Sequence, residues 1–155
     1  MLVGVDYFSK FIFIIPLRAK TNKAVLDGMK KMILEQCGGR YPRSVVADNG
    51  GEFKNEMLDA WFAENNIKVI HGPTYSPKSN ALVEKSNQII RRVLHALFVK
   101  NAYTRWYNKI DEIRNSINES KAESTGRVRS EVFEGLHSVD VAELAKKKSS
   151  KNVKK

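Results

Sequence analysis

At 155 residues, 42% hydrophobic and 28% charged, the chain has room for one domain with a real core and is too apolar for wholesale disorder. Its apolar runs last only a few residues, which excludes a transmembrane helix. The single cysteine, Cys37, excludes an internal disulfide and a cysteine-built zinc site and fits a reducing compartment. The net charge of +10 is uneven, because residues 146–155, KKKSSKNVKK, hold six lysines and no acid and leave +4 for the rest.

The chain opens at once on strand-like residues, with neither a basic leader nor a small-residue cleavage site, and is expected to continue a longer protein upstream. LVGVDYF and FIFIIPL are β-branched and aromatic runs parted by Ser9-Lys10, the pattern of two tightly joined antiparallel strands. Thr21 is placed to cap a helix through NKAVLDGMKKMILEQC, with an apolar stripe of Ala24, Met29 or Leu26, Ile33 and Cys37, and GGRYP stops it. SVVA then reads as a short strand running into Asp48. NEMLDAWFAENN is an amphipathic helix burying Leu58, Trp61 and Phe62; IKVIHG is a strand and PTYSPKSN a proline-marked loop.

A long helix is expected from about Ala81 to Val99, where Ile90, Val93, Leu94 and Leu97 recur at core spacing. TRWYNKIDEIRNSINES is a further helix, followed by a polar loop and a short element at SEVFEG. This order gives an α/β fold with a mixed sheet flanked by helices. Residues 1–136 form the core, and residues 137–155 form a basic linker or disordered tail, either merely solvated or in contact with nucleic acid.

Three acids stand out. Asp48 ends a strand and is followed by Asn49-Gly50-Gly51, where a ligand can approach, although an acid beside an Asn-Gly turn is common. Glu84 begins the long helix, and Asn87, Gln88 and Arg91 follow it on one face opposite the apolar one. Such a stripe can hold a cation and touch phosphates, or be an ordinary solvated face. Asp6 lies inside the first apolar run, either as a third carboxylate or as a strand-end residue bonded to its turn. His71, His95 and His137 are far apart and lack ligand spacing.

Asp48 and Glu84 have 35 residues between them, a spacing that proves little alone. Its flanks carry more: ADNGGEF, then IKVIHGPTYSPKSNALVEKSNQIIRRVL, resemble the catalytic core of retroviral-type integrases, especially those of gypsy-type LTR retrotransposons and Maverick-like elements. VDYFSKFIFIIPLRAKT resembles that family's second and third strands and the approach to its first helix, and STGRVRSEVFEG the segment that closes the core. The departures are Ala81 for the usual glycine, and Lys85 and Ser86 for the common Arg and Phe.

The resemblance implies a ribonuclease H-like fold and metal-dependent phosphoryl transfer that processes DNA 3′ ends and joins them to a target. It implies two Mg²⁺ or Mn²⁺ ions, with Asp48 and Glu84 as two of three carboxylate ligands. Lys78, Asn80, Asn87 and Arg91 become candidates for DNA contact, with Lys54 a weaker one. Partners would be double-stranded DNA, both element ends and target, and a second copy through the core, with no membrane and a nuclear setting. The family's sheet starts with three antiparallel strands and its first catalytic aspartate lies on the first; only two precede Thr21. Asp6 therefore corresponds to a non-catalytic second-strand residue, and the first strand is expected to precede Met1. The competing expectations are a truncated or domesticated DNA-binding remnant and a small basic helical module with accidental acid spacing.

Overall fold

The computed structural model describes residues 1–47, 50–71, 77–101 and 106–135, with only the backbone described at 77–80, 97–98, 100–101 and 106. The expected tail, residues 137–155, lies outside the described residues. The described chain divides into two units, residues 1–5 with 12–117, and residues 6–11 with the segment from 118 onward.

In the first unit β1 (Leu2–Val5) pairs antiparallel with β2 (Ile12–Ile15), and β3 (Ser44–Ala47) pairs parallel with β4 (Lys68–His71). Both pairing modes of a mixed sheet are present, divided among the described residues over two two-stranded ladders. Two strands precede the first helix, as the apolar runs predict.

All four β2 residues are buried, which explains why FIFII is an unbroken apolar run and not an alternating one. Ile12 and Ile14 turn to one face and cluster with Ile90 of α3 (Pro77–Asn101) and with Ile110, Ile113 and Ile117 of α4 (Ile110–Asn118). Phe13 and Ile15 turn to the other face, toward α1 (Asn22–Lys31) and the π-helical stretch Met32–Gln36 that extends it. Gly4 lets that stretch come close: a Cβ there would stand 3.1 Å from Met32 Sδ. Helices thus cover both faces of the β1–β2 pair.

Thr21 caps α1 as its sequence predicts, its hydroxyl accepting from Ala24 N at 3.2 Å. The buried stripe is Val25, Leu26, Met29, Met32 and Ile33; Ala24 and Cys37 are only half-buried, a correction to the regular-helix reading. The helix widens to a π turn after Lys31, so residues beyond it no longer follow the 3.6-residue period. Gly38 and Gly39, at φ +61° and +73°, end the segment.

Asn55 caps α2 (Glu56–Glu64), accepting from Leu58 N at 2.9 Å, and Leu58, Trp61 and Phe62 are buried as predicted. Asn66 takes φ 55° to end the helix and turns Ile67 into the core ahead of β4. The long helix α3 begins four residues earlier than its apolar spacing predicts, with Pro77 as its first residue. Proline suits that position because its missing N–H has no helical acceptor there. A 3-10 turn, Trp106–Lys109, leads into α4.

The second unit contains the turn at residues 6–11 and α5 (Arg129–Glu134). Phe11 and Phe133 stack with centroids 4.5 Å apart. The Arg129 guanidinium donates to Ser120 O at 3.0 Å and to Ser120 Oγ at 2.7 Å, tying the start of α5 to the preceding loop. Burial lowers the Arg129 pKa from the ordinary arginine value.

Candidate active site

Parallel pairing brings the carboxyl ends of β3 and β4 together, with Ala47 opposite His71. Asp48 is the next residue in the chain after Ala47; it and Asn49 lie outside the described residues. The chain resumes at Gly50, whose carbonyl accepts from Phe53 N at 2.9 Å and from Lys54 N at 3.1 Å. This turn delivers Asn55 to its capping position at the start of the next helix. Gly51 is exposed, and a Cβ there would meet no described atom. Lys54 is exposed beside it.

His71 is a neighbour that the residue pattern did not single out for this strand end. It is half-buried, with Nε2 4.0 Å from Asp59 Oδ1 on α2, and its buried Nδ1 has no hydrogen-bond partner among the described residues. Only the strand register reveals its place beside Ala47, since 23 residues separate the two in the chain.

Glu84 stands two turns into α3, exposed. Gln88 and Arg91 are exposed on the same side, Arg91 about 10 Å farther along the axis. Asn87 is half-buried at the margin of this face. The opposite side carries Ile90, fully buried, and Ser86, whose Oγ donates to Leu82 O at 2.8 Å. Serine in place of a large aromatic thus satisfies its hydroxyl within the helix. Lys78 and Asn80 fall in the first turn of α3, and their side chains lie outside the described residues.

Asp6 is committed elsewhere. Its Oδ2 accepts from Phe8 N at 3.1 Å, Ser9 N at 2.6 Å and Ser9 Oγ at 2.7 Å, and Ser9 Oγ in turn accepts from Phe11 N at 3.1 Å. Lys10, at φ 63°, completes the turn, and its N–H donates to Asp6 O at 3.0 Å. Asp6 is the turn-bonded residue of the second reading, with one carboxylate oxygen taken up by local donors.

Among the described residues no three of His, Cys, Asp and Glu form a metal-binding group. A hard cation would draw on Glu84, whose exposed carboxylate is the right kind of oxygen donor, and on Asp48; the chemistry of this pair fits Mg²⁺ or Mn²⁺.

The described residues form an α/β core with helices on both faces of a strand pair and a carboxylate-bearing helix displayed to solvent. Residues 1–77 match the integrase core domain family. The chain is 30% identical over 125 residues to the Pro-Pol polyprotein of feline foamy virus, an alignment covering 81% of this chain and 10% of the polyprotein. Among solved structures it is similar to a simian T-cell lymphotropic virus intasome in complex with PP2A regulatory subunit B56 gamma. The TM-score there is 0.78 at 22% identity, covering 90% of this chain and 48% of that one. It is also similar to the HTLV-2 integrase catalytic core domain in complex with magnesium. In the trimeric form the TM-score is 0.71 at 20% identity, over 84% of this chain and 82% of that one. The dimeric form gives 0.70 at 21%, over 84% and 81%. The chain belongs to the integrase core domain family, and its fold is the ribonuclease H-like integrase core. It spans about a tenth of the length of the viral polyprotein it matches.

Proposed function

We propose that this chain is the core of an integrase that joins mobile-element DNA to target DNA by metal-dependent phosphoryl transfer, including 3′-end processing and strand transfer. The observation that carries the reading is Glu84, exposed on α3 at the family's spacing from the acid that follows β3. Asp48 and Glu84 would hold the metal, with two ions in the complete site. Bound Mg²⁺ or Mn²⁺ supplies activation of the attacking oxygen and stabilisation of the leaving one. The chain's own residues do the positioning. Asn87 and Arg91 lie along the helix from Glu84, where an amide and a guanidinium engage phosphate oxygens. Lys78 and Asn80 belong to the same helix and are assigned to DNA as well.

Substrates are double-stranded element ends and target DNA, and the work is nuclear. Cores associate in pairs, a reading supported by the dimeric form of the HTLV-2 core. Asp6 has no catalytic part in this reading, because its carboxylate closes a turn.

The test is strand transfer with Mg²⁺ or Mn²⁺ by a protein carrying this segment, comparing the parent with Asp48→Asn and Glu84→Gln. Each substitution is expected to lower the rate by more than the roughly 10–100-fold that loss of an outer partner of a metal site costs. Unchanged rates in both variants would sink the assignment. DNA binding without transfer in the parent would favour a non-catalytic remnant.

A further inference from the structure

β2 poses a problem of its own. Ile12, Phe13, Ile14 and Ile15 carry no charge and have high strand propensity, yet among the described residues β2 has a strand neighbour on one side only, β1. An apolar strand edge left open to solvent templates pairing with another chain.

The register shows which backbone groups face outward. Asp6 N donates to Phe11 O at 2.9 Å, which makes that pair a hydrogen-bonded one. The alternation then turns the Gly4/Phe13 and Leu2/Ile15 groups toward each other and the Ile14 N–H and C=O away from β1. Ile14 is 0% exposed, so these groups need partners inside the protein.

Gln36 supplies both. Its Oε1 accepts from Ile14 N at 3.1 Å and its Nε2 donates to Ile14 O at 2.8 Å. A side-chain amide offers the same donor and acceptor as a peptide unit, so Gln36 occupies the place that one residue of a third strand would take. It is the last residue of the π-helical stretch Met32–Gln36, whose Met32 and Ile33 are buried. That stretch packs beside β2, and its widened turn leaves Gln36 half-buried against the strand edge. Pro16 just beyond β2 limits the edge further, since it has no N–H to give to a ladder.

We infer that Gln36 is a surrogate strand that closes the outer edge of β2 against strand addition by a second copy of the chain. The partner that an opened edge would take is another β2, because the segment is apolar, uncharged and able to pair with itself antiparallel.

The test uses the purified chain with Gln36→Ala and two readouts. Amide hydrogen exchange is followed at Ile14, with Phe13, whose groups face β1, as the internal reference. Sedimentation velocity is run over a concentration series beside the parent. Exchange at Ile14 is expected to quicken about tenfold with Phe13 unchanged, the cost of one hydrogen bond. Species larger than the parent's are expected to grow with concentration. Unchanged Ile14 exchange overturns the inference, and so does faster exchange with a parent-like size distribution. Should Gln36→Ala not fold, Gln36→Glu keeps the length and the acceptor but loses the donor to Ile14 O. It is expected to self-associate more than the parent while Ile14 N–H stays protected, and parent-like sedimentation of that variant also overturns the inference.

Discussion

Asp6 illustrates how one carboxylate reads differently alone and in place. By type and position it competes for a metal role; in the structure one oxygen gathers three donors from Phe8 and Ser9. Ser9 is 0% exposed, so its hydroxyl depends on that oxygen. Asp6→Ala is expected to cost about 1–3 kcal/mol of stability, measured by urea unfolding. Asp6→Asn keeps an oxygen acceptor and should cost less, while leaving metal-dependent strand transfer at parent levels. Loss of transfer in a well-folded Asp6→Asn protein would restore Asp6 as a ligand. Glu84 shows the opposite situation, since an exposed carboxylate on a helix face leaves its role to whatever approaches it.

At the scale of elements, α3 joins the proposed site to the core. Its inner side holds Ile90 at 0% exposure among Ile12, Ile14, Ile110, Ile113 and Ile117, and its outer side displays Glu84, Gln88 and Arg91. Ile90→Ala should cost about 2–5 kcal/mol, because the surrounding isoleucines close the cavity only partly. Thermal or urea unfolding measures it, and a change under 1 kcal/mol would contradict the packing described. Helix positions were legible where a cap and a 3.6-residue period coincided, as at Thr21 with α1, and from the apolar period alone at α2, whose cap Asn55 only the structure shows. They were misjudged where local chemistry interrupts the period. The π turn after Lys31 moved the buried stripe off Cys37, and Pro77 started α3 inside a stretch whose prolines read as loop.

For the whole molecule, charge distribution bears on the proposed partner. The formal net charge is +10, of which six units come from the lysines of residues 146–155, so salt-dependent DNA binding alone does not identify the site. A single-residue change does. Arg91→Ala is expected to reduce the dependence of log binding constant on log salt by about one unit, with a nearly uniform loss across DNA sequences. An unchanged slope in a fluorescence-anisotropy titration at several salt concentrations would remove Arg91 from the interface. Among the described residues no helix is long and apolar enough to cross a membrane.

The amino-acid sequence by itself determined the order of elements, the Thr21 cap, the apolar face of α2 and the family, because these depend on residue type and spacing along the chain. It also placed Glu84, Asn87, Gln88 and Arg91 on one side of a helix, since helical periodicity needs no tertiary partner. Tertiary structure alone decided the contacts between distant residues. Strand register set His71 beside Ala47, and the packing of α1 and its π turn on β2 brought Gln36 to Ile14, 22 residues away. No local pattern announces such pairs, because a half-buried glutamine has the same sequence signature as an exposed one until the strand edge it serves is in place.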